Sequence, residues 1–254
     1  MRNSEHGPEG SNAVYGINAV KEAIGARPVD YVLVAAAAGQ HSNRVQEVVT
    51  ACRKAEISVR FSPRAALDRA AGTAHHQDVV AVCAVKQYDD LDSLVRGRAN
   101  PLLVVLDGVE DPRNLGAIIR TAVAAGADGI VIPERRAAGL TASVAHASAG
   151  ALEHARIARV TNLVRSLLEL KEQGVWVYGF ESRAEKTYLQ LDYTGSCAIV
   201  LGGEGEGLHR LVRESCDQVA AIPLYGPVES LNVSVAAAVV LYEAARQRTS
   251  ASRR

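Results

Sequence analysis

Two short stretches in the C-terminal half place polar, chemistry-bearing residues directly after apolar runs. Gly202-Gly203-Glu204-Gly205-Glu206-Gly207 follows residues 197–201. Ser230-Leu231-Asn232-Val233-Ser234 follows residues 219–224 by way of Tyr225-Gly226-Pro227. Glycines let backbone N–H and C=O groups come close to a ligand. Gly203 and Gly205 fit the first two positions of the dinucleotide fingerprint G-x-G-x-x-G, but Leu208 occupies the third, and no Gly-Lys-Ser/Thr follows as in a Walker loop. Glu204 and Glu206 would also repel a pyrophosphate, the group that such backbone cradles attract. The loop suits a ligand that is neutral or carries positive charge near those carboxylates, which disfavours a nucleotide-dependent oxidoreductase. The alternative is a tight turn capping a strand.

A third loop, residues 107–114, joins the apolar run 102–106 to a helical pattern beginning at Leu115. Pro112 and Asn114 suit a helix start, so Asn114 reads as a cap. Leu115, Ile118, Ile119 and Ala122 form an apolar stripe, and Arg120 lies beside it. A charge flanking a buried stripe needs a partner or an anionic substrate. Glu204, a carboxylate with no local mate, is the expected partner; otherwise Arg120 lies on a solvated helix side.

The elements that must hold these loops alternate in type. Residues 197–201 and 219–224 are too short, and too closely bounded by Gly or Pro, to be helices; they read as buried strands. Residues 102–106, 129–133 and 175–179 read likewise. Helical spacing marks 115–125, 162–172 and 235–248. Strands that are apolar throughout and alternate with helices imply a parallel sheet covered on both faces, with ligands beyond the carboxyl ends of its strands.

Ahead of this lies a smaller α/β unit. It comprises a helix over 16–24, a strand over 31–34, a helix capped by Asn43, a strand over 57–61, a short helix opened by Ser62-Pro63 and a strand over 79–85. The expected organisation is a disordered leader over 1–12, a first domain over 13–86, a polar linker over 87–100, a second domain over 101–248 and a tail over 249–254. His75, His76 and Gln77 have no Cys or carboxylate at ligand spacing and read as a polar loop rather than a metal site.

Lys and Arg together number 28, as do Asp and Glu. Global charge therefore gives no nucleic-acid signal, and any RNA contact needs a local patch. Cys52, Cys83, Cys197 and Cys216 form no C-x-x-C pair, which suits buried, reduced thiols in a cytoplasmic protein. No signal peptide or membrane-length apolar run is present, so no membrane association is expected.

Three ordered segments closely resemble the SpoU (TrmH-type) family of RNA ribose 2′-O-methyltransferases, in the SPOUT superfamily. They are Asn114-Leu115-Gly116-Ala117-Ile118-Ile119-Arg120-Thr121-Ala122, residues 201–208 and residues 222–236, with Ser230-Leu231-Asn232-Val233-Ser234 the most specific piece. The opening Val14-Tyr15-Gly16-Ile17-Asn18-Ala19-Val20 resembles that family's small RNA-substrate-binding domain, which is similar to a ribosomal protein fold. The combination is typical of members acting on a guanosine of 23S rRNA. The resemblance implies an α/β fold: a C-terminal parallel-sheet SPOUT domain with a deep trefoil knot, preceded by a small N-terminal α/β substrate-binding domain. It also implies S-adenosylmethionine as cofactor, RNA as substrate, and a homodimer in which each active site is completed at the subunit boundary. The Ala-rich segment 235–245 suits helix packing there, or equally in a core.

By the motif match, Gly202, Ile222 and Leu231 line the cofactor pocket, largely through backbone groups. Arg120, Asn114, Glu204, Ser230 and Asn232 surround the ribose hydroxyl. Arg120 stays protonated in proteins, so the role expected of it is electrostatic. It would hold the target phosphate and hydroxyl and stabilise the developing alkoxide. Glu204 and Asn114 would orient it, Ser230 and Asn232 would position the substrate, and no metal is needed. A tRNA ribose methylase or an antibiotic-resistance rRNA methylase would share these motifs, although the N-terminal domain argues against a minimal tRNA enzyme. The intact Asn114, Arg120, Glu204 and Asn232 argue against a catalytically silent assembly factor. Gly203 stands where Ala or Ser is usual, a change expected to be silent, and Asp78 stands where Gly is common.

Overall fold

The computed structural model of the chain describes residues 13–36, 42–205 and 207–252. They fall into two compact units, Met1–Gln87 with Gly139–His154 and Tyr88–Ala138 with Ala155–Arg254. The leader expected over 1–12 and Glu206 lie outside the described residues.

The first unit runs β1 (Ala13–Tyr15), α1 (Ile17–Ala26), β2 (Val29–Ala35), α2 (Asn43–Lys54), β3 (Ser58–Ser62), α3 (Arg64–Ala71) and β4 (Val79–Cys83). Its sheet has the order β1-β4-β2-β3; β4 is antiparallel to both neighbours, and β2 and β3 are parallel. Strand β1 escapes sequence reading because three residues show no period. Gly16, at φ +90, turns the chain from β1 into α1, a backbone that favours glycine. The cap of α2 is Ser42, whose hydroxyl accepts from the Val45 N–H, one residue before the expected Asn43. Pro63 is the cap residue of α3, not its first helical residue.

The loop before β4 is more structural than its polar sequence suggests. His76 is fully buried, accepts the Asp78 N–H at Nδ1 (3.0 Å) and meets Asp68 through Nε2 at 2.9 Å. Gln77 and Asp78 both adopt left-handed φ, 54° and 63°. That conformation explains why glycine suits position 78. Here Arg64 pairs with the Asp78 carboxylate at 3.3 Å.

The second unit begins with α4 (Leu91–Val95), inside the stretch expected to be a linker. Its polar residues are used in packing: the Asp89 carboxylate accepts from the Ile157 N–H (3.0 Å) and pairs with Arg156. Leu94 is fully buried against Gly129, where a Cβ would collide with it. Leu94→Ala is therefore expected to lower stability by about 2–5 kcal/mol, read as a shift in the urea unfolding midpoint. A shift within about 0.5 kcal/mol would return this stretch to linker status.

Then follow β5 (Leu102–Asp107), α5 (Pro112–Ala124) and β6 (Gly129–Pro133). Helix α6 (Ala142–Ala147) and a 3-10 turn over Ala151–His154 belong to the first unit by packing. The chain continues through β7 (Ile157–Val160), α7 (Leu163–Glu172), β8 (Trp176–Glu181), β9 (Lys186–Thr187), β10 (Cys197–Gly202), α8 (Arg210–Ser215), β11 (Gln218–Ala221) and α9 (Val233–Ala251). The tail expected over 249–254 is thus helical to Ala251.

All seven strands are parallel, in the order β7-β6-β5-β10-β8-β11-β9. Alternate residues of β5 and β10 face opposite sides. Leu103, Val105, Ala198 and Val200 join Leu163, Leu167 and Leu170 of α7 in one core. Helices α5 and α9 pack together, and α9 also touches β10. Burial holds the four cysteines as free thiols with raised pKa values; that of Cys216 reaches about 12. Among the described residues no helix is long and apolar enough to cross a membrane.

Candidate active site

Strands β5, β10 and β11 end at the same edge of the sheet, and the three loops leaving them build the site. Strand β11 stops at Ala221, shorter than the expected 219–224. Ile222 and Leu224 instead line a cleft of about 360 Å³ together with Gly202, Gly203, Glu204, Ser230, Leu231 and Asn232. The three residues expected around a cofactor, Gly202, Ile222 and Leu231, therefore share one cleft. Of the five expected around the hydroxyl, Glu204, Ser230 and Asn232 line it as well.

The glycines are needed where backbones cross. A Cβ on Gly202 would overlap the backbone of Gly207, and one on Gly203 would overlap the Gly108 carbonyl. The Gly203 N–H also donates to the Asp107 carbonyl at 2.7 Å, tying the β10 loop to the β5 loop. Glycine at 203 is thus not a silent replacement for Ala or Ser in this backbone. Gly203→Ala should destabilise the protein by roughly 1–3 kcal/mol through overpacking, measured as a lowered thermal midpoint. An unchanged midpoint would mean that Gly108 yields freely.

At the cleft rim three side chains lock together. Glu204 Oε1 accepts from Asn114 Nδ2 and from Asn232 Nδ2, each at 2.8 Å, and Asn232 Nδ2 also lies 3.1 Å from Asn114 Oδ1. Asn114 is not the cap of α5. Asp111 is, accepting the Arg113 N–H, and this frees Asn114, 9% exposed, to face Glu204. Asn232 caps α9: its Oδ1 accepts from the Ser234 N–H and hydroxyl, which turns its amide N–H groups toward Glu204. Ser230 is exposed on the cleft wall.

The expected Arg120–Glu204 pair does not form. Asn114 and Arg120 are six residues apart, about 9 Å along the helix and about a third of a turn around it, and Glu204 faces Asn114. Arg120 is exposed, does not line this cleft, and makes no side-chain hydrogen bond or ion pair among the described residues.

Sequence reasoning missed Asp107, Arg136 and His209, which line a second cavity of about 340 Å³ beside Glu204. The available signal was an acidic residue closing an otherwise apolar strand. Among the described residues no group of three or more His, Cys, Asp or Glu could hold a metal ion.

Residues 101–242 match the SpoU rRNA Methylase family, and residues 13–89 match the RNA 2'-O ribose methyltransferase substrate binding family. The 23S rRNA (guanosine-2'-O-)-methyltransferase RlmB of Photobacterium profundum is 43% identical over 94% of this chain and 98% of its own. That of Xylella fastidiosa (strain 9a5c) is 47% identical over 93% and 96%. Among solved structures, the SpoU methyltransferase AviRb from Streptomyces viridochromogenes, in complex with AdoMet, superposes with a TM-score of 0.78. It is 28% identical, and the match covers 94% of this chain and 90% of that one. With matches to both domains and full-length relatives of this identity, the chain belongs to the SpoU rRNA methylase family.

Proposed function

We propose that this protein transfers the methyl group of S-adenosylmethionine to a ribose 2′-hydroxyl of RNA, at a guanosine of 23S rRNA. The observation that carries the reading is the Asn114–Glu204–Asn232 cluster at the rim of a glycine-walled cleft. The cleft fits the cofactor chemically. Gly202, Gly203 and Gly205 bring backbone groups to its surface, Ile222, Leu224 and Leu231 supply apolar walls, and the Glu204 carboxylate complements a sulfonium. When bound, S-adenosylmethionine supplies an electrophilic methyl group. The chain's part is to hold a ribose hydroxyl in line with it, where effective molarities reach about 10⁵–10⁸ M in favourable cases. Glu204, Asn114 and Asn232 form the fixed polar wall, Ser230 contacts the substrate, and Arg120 stabilises the developing alkoxide. Residues 13–86 hold the RNA. The trefoil knot in this reading rests on the family resemblance.

The working form in this reading is a cytoplasmic homodimer. On α9, Val235 and Tyr242, two helical turns apart, are 48% and 56% exposed, and Arg120 on the adjoining α5 has no side-chain partner among the described residues. A second subunit would cover the first two and bring the third to a site. The test is a map of ribose methylation in rRNA and tRNA from cells with and without the protein. Loss of one 2′-O-methylguanosine from 23S rRNA is expected; loss confined to tRNA would overturn the target.

A further inference from the structure

The second cavity shares Asn114, Gly203, Glu204 and Gly207 with the family motifs, whereas Asp107, Arg136 and His209 lie outside them. The last three, from three separate segments, form a relay. Asp107, which ends β5 and is 6% exposed, accepts both the His209 backbone N–H (2.8 Å) and the ring Nδ1–H (2.9 Å). The ring is thereby oriented, and its Nε2 is left as an acceptor. It takes an N–H from Arg136 at 2.9 Å. Arg136 is exposed and sits in the turn after β6 with a left-handed backbone, φ 56°. Such a conformation is strained for a residue with a Cβ and clusters at functional sites. A buried carboxylate and an oriented imidazole thus fix an exposed guanidinium whose remaining N–H donors are available to the cavity.

The wall selects among ligands. Asp107, Glu110, Asp111 and Glu204 share it with Arg136 and His209, a balance that repels phosphate. It favours a neutral heterocycle carrying both acceptors and donors. Guanine offers O6 and N7, the preferred bidentate partners of Arg, and N1–H and N2–H donors for a carboxylate such as Glu110. Gly203, Glu204, Gly207 and Val233 line both cavities, so a base seated here lies beside the polar cluster assigned to the ribose.

We propose that this cavity holds the base of the nucleotide to be methylated, that Arg136 reads the O6/N7 edge of guanine, and that Asp107 and His209 are positioning residues for Arg136. The proposal rests on the reading that the target is a guanosine ribose. It is tested by kcat/KM for the full-length protein on a 23S rRNA fragment whose target nucleotide is guanosine or 7-deazaguanosine, which lacks the N7 acceptor. Wild type should prefer guanosine by about tenfold or more. Arg136→Ala should lose that preference, methylating both slowly and alike, and Arg136→Lys, which keeps charge but not the fork, should lose most of it. His209→Ala should narrow the preference without moving S-adenosylmethionine affinity, a pattern that a merely structural role would not produce. The proposal is overturned if wild type ignores the N7 change, or if Arg136→Ala slows both RNAs equally with the preference intact. It is also overturned if the variant's loss appears as a shallower salt dependence common to all RNAs, which would assign Arg136 to a phosphate. In these three outcomes guanosine methylation survives and the function stands. A wild type that methylates no guanosine RNA removes both readings together.

Discussion

Arg120→Ala should reduce RNA methylation by about a hundredfold or more, in the range found when one transition-state electrostatic donor is removed. S-adenosylmethionine affinity, measured by calorimetry, should stay near wild type. Arg120 lies on the exposed side of α5, does not line the cleft and has no side-chain partner among the described residues. Removing it leaves no buried group unsatisfied. Parallel loss of cofactor binding would mark Arg120 as structural. The same residue tests the composite site. If Arg120 of one subunit serves the cleft of the other, dimers mixed from Arg120→Ala and Glu204→Ala subunits contain one intact site and regain up to about half the activity. If each subunit serves itself, the mixed dimers stay inactive.

Glu204→Gln should slow single-turnover methylation by roughly ten- to hundredfold and leave folding almost unchanged. Glu204 is exposed overall, so its contribution to stability is small. Its single Oε1, however, gathers amide N–H groups from Asn114 and Asn232. Glutamine keeps the shape and one acceptor but removes the charge, and charge-assisted hydrogen bonds are worth about 1.5–3 kcal/mol each. Double-mutant cycles should show strong coupling of Glu204 with Asn114 and with Asn232, and near-additive losses with Arg120 measured within one subunit. The reverse pattern would restore the ion pair that the loop sequence suggests and the helix geometry disfavours.

These two residues show where sequence reading succeeds and where it stops. The parallel sheet was legible because the strands 102–106, 129–133 and 197–201 are apolar runs bounded by turn residues, and the ends of β5, β10 and β11 marked the loops. Gly202, Ile222 and Leu231 came from motif likeness, and they line one cleft because the loops converge. The pairing of Glu204 was misread because sequence shows that Arg120 flanks an apolar stripe, but not what faces it across space. Helix α4 was hidden by its polarity, since Asp89 looks solvated until Arg156 and the Ile157 N–H are found against it. The Asp107–His209–Arg136 relay joins positions separated by up to 102 residues, and no local pattern announces such a contact.

The most direct test of the central claim is methyl transfer by the purified protein. Full-length protein is incubated with methyl-labelled S-adenosylmethionine and 23S rRNA from cells lacking it, and the RNA is digested to nucleosides for mass spectrometry. The account predicts label in 2′-O-methylguanosine at a single 23S rRNA position and none in tRNA from the same cells. Label on a base, or no label in 23S rRNA while the cofactor binds, would contradict it.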